Sequence, residues 1–171
     1  MVTSDIEIVK LIWYNEMGVF MLVIGTEKEI NEKIKSLSNE KLLKNEYGKP
    51  YYENTSIKFN KSNTLGLSVL IIDNKECGID VERIRKYDEV IAKRILSKNE
   101  YDFVNINNKD FYFTLIWTLK ESYLKCIGTG LNLNLKDISF VKDNKILKTK
   151  NNYKLDYFIY EDKYIISYCT E

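Results

Sequence analysis

No histidine occurs anywhere in the 171 residues, and that absence removes more chemistry than any other feature of the composition. Without imidazole there is no Ser-His-Asp or Cys-His relay, and the commonest nitrogen ligand for zinc, copper or iron is missing. Proton transfer falls to carboxylate, lysine, tyrosine or metal-bound water. Cysteine is scarce: Cys77, Cys126 and Cys169 lie far apart, which gives neither a CxxC pair nor an even-numbered disulfide framework. They read as reduced, buried thiols of a cytoplasmic protein. No run of about 18 apolar residues exists, and Met1 to Asp5 lack the basic opening of a secretory leader, so neither membrane nor secretion is expected. An excess of one charge is lacking too: 26 Lys and Arg against 25 Asp and Glu, interspersed, leave no basic footprint for nucleic acid. With a single proline, Pro50, and no Pro/Gly/Ser linker, the chain fits one domain or two small halves sharing a core.

What is present reads as alternating strands and helices. Glu7 to Asn15 and Val19 to Gly25, split by Glu16-Met17-Gly18, predict an opening hairpin. Lys28 to Lys44 predicts one or two short helices with a break at Ser36 to Asn39. A turn at Gly48-Lys49-Pro50 leads toward a strand at Ile57 to Asn60, and a polar turn follows at Asn60 to Thr64. Leu65 to Ile72 and Cys77 to Glu82, separated by Asp73-Asn74-Lys75-Glu76, predict a second hairpin. Helices are expected at Tyr87 to Ile95, after a capping box at Ser97-Lys98-Asn99-Glu100, and over Asp110 to Cys126 up to Gly128. Strands are expected at Leu131 to Leu135, Ile138 to Val141, Tyr153 to Tyr160 and Tyr164 to Tyr168. The fold class is therefore α+β, read as a pseudo-twofold pair of similar halves, 1–74 and 75–171.

Four places offer chemistry. Asp80 and Glu82 are one residue apart in a strand, so both carboxylates share a face while Ile79 and Val81 take the other. Paired hard oxygens suit Mg²⁺ holding a phosphate, but for the pair taken alone a solvated face matched with Arg83 or Arg85 is the plainer account. Trp117, Glu121 and Lys125 fall at i, i+4 and i+8 on one side of a helix, where an i,i+4 surface pair is the plainer account. Lys49 on its stiffened turn, and the small polar groups of Asn60 to Thr64, can grip a phosphate or simply make turns.

Taken in order, these four resemble the Sfp-type 4'-phosphopantetheinyl transferases of the holo-acyl-carrier-protein synthase superfamily. Gly48-Lys49-Pro50 matches the family's GKP turn, and Phe59-Asn60-Lys61-Ser62-Asn63 its F-N-x-S-H segment. Gly78-Ile79-Asp80-Val81-Glu82 matches G-[IV]-D-[IV]-E, and Trp117 to Lys125 matches W-[ST]-x-K-E-[SA]-x-x-K. Leu96-Ser97-Lys98-Asn99-Glu100 and Gly128-Thr129-Gly130-Leu131 also resemble family segments. The resemblance runs from about Tyr47 to about Ser139, more loosely beyond.

It implies transfer of phosphopantetheine from coenzyme A to a serine of an apo acyl or peptidyl carrier protein, releasing adenosine 3',5'-bisphosphate. It implies Mg²⁺ at Asp80, Glu82 and Glu121, with Glu121 and Lys125 as catalytic groups. Lys49, Ser62 and Asn63 would bind coenzyme A, and a monomer is implied. Glu100 is a secondary candidate that also fits the third helical position of a capping box. Asn63 stands where the family has histidine, and the N-terminal half is short. Both features leave open a degenerate relative that binds coenzyme A or a carrier without transferring anything.

Overall fold

The computed structural model describes residues 9–15, 18–130 and 133–171. Two four-stranded antiparallel sheets form its centre. The first is built from β1 (Val9–Asn15), β2 (Gly18–Gly25), β5 (Lys58–Thr64) and β6 (Leu67–Asp73), in the order β1-β2-β6-β5. The second takes β7 (Cys77–Arg83), β10 (Thr149–Lys150), β11 (Tyr153–Tyr160) and β12 (Tyr164–Thr170), in the order β10-β11-β12-β7. Small two-stranded ribbons are made by β3 (Leu42–Lys44) with β4 (Pro50–Tyr52) and by β8 (Val141–Lys142) with β9 (Lys145–Ile146). The expected α+β class is present.

Strand alternation decides how the layers stack. Phe20, Leu22, Ile24, Leu67, Val69 and Ile71 point from the first sheet into a cluster completed by Cys77, Ile79, Val81, Tyr164, Ile166 and Tyr168 from the second. The sheets thus share a core. On its other face the first sheet buries Val23, Phe59 and Leu70 against Ile30 and Ile34 of α1 (Glu27–Lys35). The second sheet turns Leu155, Ile165 and Cys169 toward Leu115, Leu119 and Leu124 of α4 (Lys109–Ile127). Helices α2 (Glu89–Ile95) and α3 (Lys98–Asn105) pack on α4 through Ala92, Phe103, Val104, Phe113 and Ile116.

Local chemistry sets the helix ends. The Ser97 capping box forms as expected, with Glu100 reaching back to the Ser97 N–H at 2.8 Å, and Thr26 with Glu29 makes a second one on α1. Asn108 opens α4 and Gly128, at φ +72°, closes it in the left-handed conformation. No helix among the described residues is long and apolar enough to cross a membrane.

Several expectations are corrected. Cys77 to Glu82 is not the second arm of a hairpin with Leu67–Asp73, because β7 pairs with β12 in the other sheet. The bend at Asp73 to Glu76 carries the chain between layers, and apolar residues of β6 and β7 meet face to face. Asn60 to Thr64 is not a turn: the strand continues to Thr64, paired as Ser62 with Val69, and the reversal comes at Leu65 and Gly66. The second of the possible helices within Lys28 to Lys44 is replaced by strand β3. Of the expected strand at Leu131 to Leu135, Leu131 and Asn132 lie outside the described residues. The rest enters a 3-10 turn, Leu135–Asp137, capped by the Asn134 side chain. Ile138 to Val141 is strand only from Val141. For the opening hairpin, β1 and β2 pair from Asn15 opposite Gly18, while Glu7, Ile8, Glu16 and Met17 lie outside the described residues.

Candidate active site

The site begins with a residue that has no side chain. A Cβ on Gly78 would lie 2.1 Å from the Ser122 carbonyl oxygen and 2.4 Å from the Cys126 nitrogen, so the backbone of α4 rests directly on β7. Period two then turns Asp80 and Glu82 to the same side as Gly78, and Glu121 and Lys125 come down on them from the helix. The glycine of the G-I-D-V-E segment is what lets the two charged motifs meet.

Asp80 is buried and closely held. Its Oδ1 accepts from Lys125 Nζ at 2.6 Å and from Ser62 Oγ at 2.8 Å, and Lys125 Nζ also donates to Ser62 Oγ at 3.0 Å. Its Oδ2 is buried and has no hydrogen-bond partner among the described residues. One residue pair earlier, Asn60 Oδ1 accepts the Ile79 N–H at 3.0 Å, which ties β5 to the edge of β7. Lys125 therefore does not make the i,i+4 pair with Glu121 that helix spacing offers; it crosses to the strand.

The neighbouring carboxylates feel the crowding. Burial raises Glu82, and the Asp80 charge raises it further, against the opposing pull of Arg85, an indole hydrogen bond from Trp117, and Lys125. Glu121 is raised by burial and by Asp80, with Lys125 acting the other way and Glu82 adding to the rise. The Arg85 guanidinium carbon lies 5.3 Å from the ring centroids of both Phe113 and Trp117.

A hard cation fits this donor set. Among the described residues no group of three or more Cys, Asp or Glu side chains is placed to hold a metal ion by itself. Mg²⁺ needs none, since it retains waters and takes one or two carboxylates together with substrate phosphate oxygens. The buried Asp80 Oδ2 is the observation in its favour, because a buried carboxylate oxygen left without a hydrogen-bond partner is costly. Asp80, with Glu82 and Glu121 beside it, supplies the carboxylates that could take part in holding such an ion.

Beside this cluster a cleft of about 340 Å³ opens between the Tyr47 to Pro50 turn, β5 and the end of α4. Lys44, Lys49, Lys61 and Lys125 line it with Tyr47 and Gly130. Lys49 lines the cleft, but its three ammonium donors are engaged: Glu76 Oε2 at 2.7 Å, Cys126 O at 2.8 Å and Cys77 O at 3.2 Å. It ties the Cys126 carbonyl at the end of α4 to the Cys77 carbonyl at the start of β7. Ser62 faces Asp80. Asn63, one residue on, takes the opposite face of β5, the side on which Phe59 packs and Lys61 reaches Asn31 of α1, and it is exposed. The structure thus gathers Asp80, Glu82, Glu121, Lys125 and Ser62 and leaves Asn63 apart.

Glu100 is resolved in favour of its structural role. It is fully buried, with Oε1 accepting the Phe140 N–H at 2.8 Å and Oε2 lying 2.8 Å from Lys120 Nζ. Lys120, also fully buried, donates to the Leu135 carbonyl at 2.6 Å and to the Ile138 carbonyl. Burial lowers the Lys120 ammonium and Glu100 holds it back up. Sequence reasoning gave Lys120 no role of its own and read Asn60 only as part of a polar cluster that grips a phosphate or makes a turn. A polar residue at a buried strand position, as Asn60 is, was the available signal.

The family model for the 4'-phosphopantetheinyl transferase superfamily matches residues 76–169. The 4'-phosphopantetheinyl transferase gsp of Aneurinibacillus migulanus is 36% identical over 144 residues, which are 80% of this chain and 60% of that one. The 4'-phosphopantetheinyl transferase Sfp of Bacillus subtilis is 37% identical over 98 residues, 55% of this chain and 44% of its own length. A holo-[acyl-carrier-protein] synthase of Mycoplasma capricolum is 32% identical over 79 residues, 43% of this chain and 71% of that one. The chain therefore spans about half of the two longer relatives.

Proposed function

The chain belongs to the 4'-phosphopantetheinyl transferase superfamily, and from that premise we propose that it moves the phosphopantetheine arm of coenzyme A onto a serine of an apo acyl or peptidyl carrier protein. The observation that carries this reading is the meeting of Glu121 and Lys125 with Asp80 and Glu82, where one buried carboxylate oxygen lacks a partner, beside a lysine-lined cleft. Such an arrangement suits positioning of a diphosphate and neutralisation of its charge, which is most of what phosphoryl transfer asks of a protein.

In this reading the carrier serine Oγ bonds to the phosphorus that bears pantetheine. The bond from that phosphorus to the bridging oxygen breaks, and adenosine 3',5'-bisphosphate leaves with the electron pair. Mg²⁺ held by Asp80, Glu82 and Glu121 would neutralise charge on the diphosphate. Lys125, on the same carboxylate, offsets charge on the phosphate oxygens as they reorganise. We assign the serine proton to Glu121 or to a water held by the metal, since a carboxylate ionised at neutral pH can accept it. The cleft between the 48–50 turn and β5 is our assignment for coenzyme A, with Lys44, Tyr47 and Lys61 on its wall. The carrier is assigned to α2 and α3, where Val90, Ile91 and Arg94 are exposed and where Lys93 and Lys98 are paired with Glu89 and Asp102, pairs that an acidic helix would have to compete with. We read the protein as a cytoplasmic monomer, in keeping with three free, buried cysteines.

The test is the intact mass of apo carrier proteins incubated with the protein, coenzyme A and Mg²⁺. A gain of one phosphopantetheine arm, lost with EDTA and reduced about 100-fold or more in rate by Glu121→Gln, is the expected outcome. Coenzyme A binding with no mass gain on any carrier would favour the degenerate binder.

A further inference from the structure

We propose that Ser62 is a positioning residue of the cation site, its hydroxyl making the two oxygens of Asp80 unequal so that Oδ2 alone is left to take a divalent ion. This rests on the metal reading above and departs from the expectation that Ser62 contacts coenzyme A. A serine hydroxyl has one proton to give and lone pairs to receive. Here the proton goes to Asp80 Oδ1 at 2.8 Å and the oxygen receives Lys125 Nζ at 3.0 Å, so one side chain fixes both the carboxylate and the ammonium.

The need for such a device follows from the geometry of a carboxylate. Its terminal torsion is broad and its two oxygens are chemically alike, so an ammonium alone, 2.6 Å from Oδ1, does not decide which oxygen stays open. Ser62 decides it. The hydroxyl comes from β5, a strand of the first sheet, whereas Asp80 belongs to β7 of the second. Asn60, two residues before Ser62 on the same side of β5, holds the Ile79 N–H next to Asp80 at 3.0 Å and fixes the offset between the strands. Both polar side chains are buried, so water does not compete for them. With Ser62 removed, the carboxylate is free to turn and the Lys125 ammonium to straddle both oxygens, which closes the position the ion would use.

The experiment titrates Mn²⁺ into wild type, Ser62→Ala and Ser62→Thr, following loss of the free-ion electron paramagnetic resonance signal, with and without coenzyme A. Melting temperatures are recorded alongside. Wild type is expected to bind the ion, Ser62→Ala to bind it about tenfold more weakly, the scale of one charge-assisted hydrogen bond, and Ser62→Thr, which keeps the hydroxyl, to recover most of the difference. Equal Mn²⁺ affinity in wild type and Ser62→Ala, with weaker coenzyme A binding in the variant, would overturn the proposal and leave the metal reading standing. No Mn²⁺ bound by wild type in either condition would overturn both.

Discussion

Adjacent residues of α4 do unrelated work. Lys120 is enclosed with Glu100 and two carbonyls, while Glu121 looks into the carboxylate cluster. Lys120→Met leaves the Glu100 charge buried without its partner and is expected to cost about 3–5 kcal/mol, which lowers the melting temperature by about 10 °C for a chain of this length. Glu121→Gln should move melting little and turnover greatly, so calorimetry and transfer rate measured on the two variants separate the roles. Glu76 offers a pH test. Burial would raise it, but the hydrogen bond and charge of Lys49, then those of Lys58, outweigh burial and lower it. A carboxyl lowered on folding stabilises the native state above its ordinary pKa, near about 4.3, and the contribution is lost as pH falls through the folded value. Urea midpoints measured from pH 6 downward should therefore fall below about pH 4, and less steeply in Lys49→Met. Parallel curves would remove Glu76 from the account of acid lability.

Among elements, the contact of α4 with β7 decides most. Gly78→Ala puts a carbon against helix backbone that has no side chain to swing aside, and is expected to destabilise by about 1–3 kcal/mol or more. It should also depress transfer beyond its effect on folding, because Glu121 and Lys125 ride on the displaced helix; a variant that melts lower but transfers at the wild-type rate would contradict this. The helix was legible in advance, since its cap at Gly128 and its apolar spacing are local signals, and the Ser97 capping box was legible for the same reason. Partnership was not. A four-residue polar bend between two apolar strands reads as a hairpin, yet β7 finds β12 more than 80 positions along the chain, with Asp80 opposite Ser167. Local pattern carries which face of a strand is apolar, and it does not carry which strand lies beside it. Asn60 to Thr64 failed similarly: its polar residues looked like a turn because the buried partners that satisfy Asn60 and Ser62 come from elsewhere in the chain.

At the scale of the whole molecule, the pairing of Asp80 with Glu82 on one strand and of Glu121 with Lys125 on one helix was legible from spacing, while metal and catalytic roles for them came only with the resemblance. The allocation of Lys49, Ser62 and Asn63 was not, because it depends on how β5 and the 48–50 turn meet the second sheet. The shared core has a consequence for recombination. The bend at Asp73 to Glu76 looks like a natural crossover point for grafting a relative's front half onto this back half. A crossover there divides one packed cluster into six side chains from β2 and β6 and six from β7 and β12. Chimeras inherit two half-interfaces with different histories, and their viability follows how well those twelve residues interlock rather than how alike the parents are in their charged motifs.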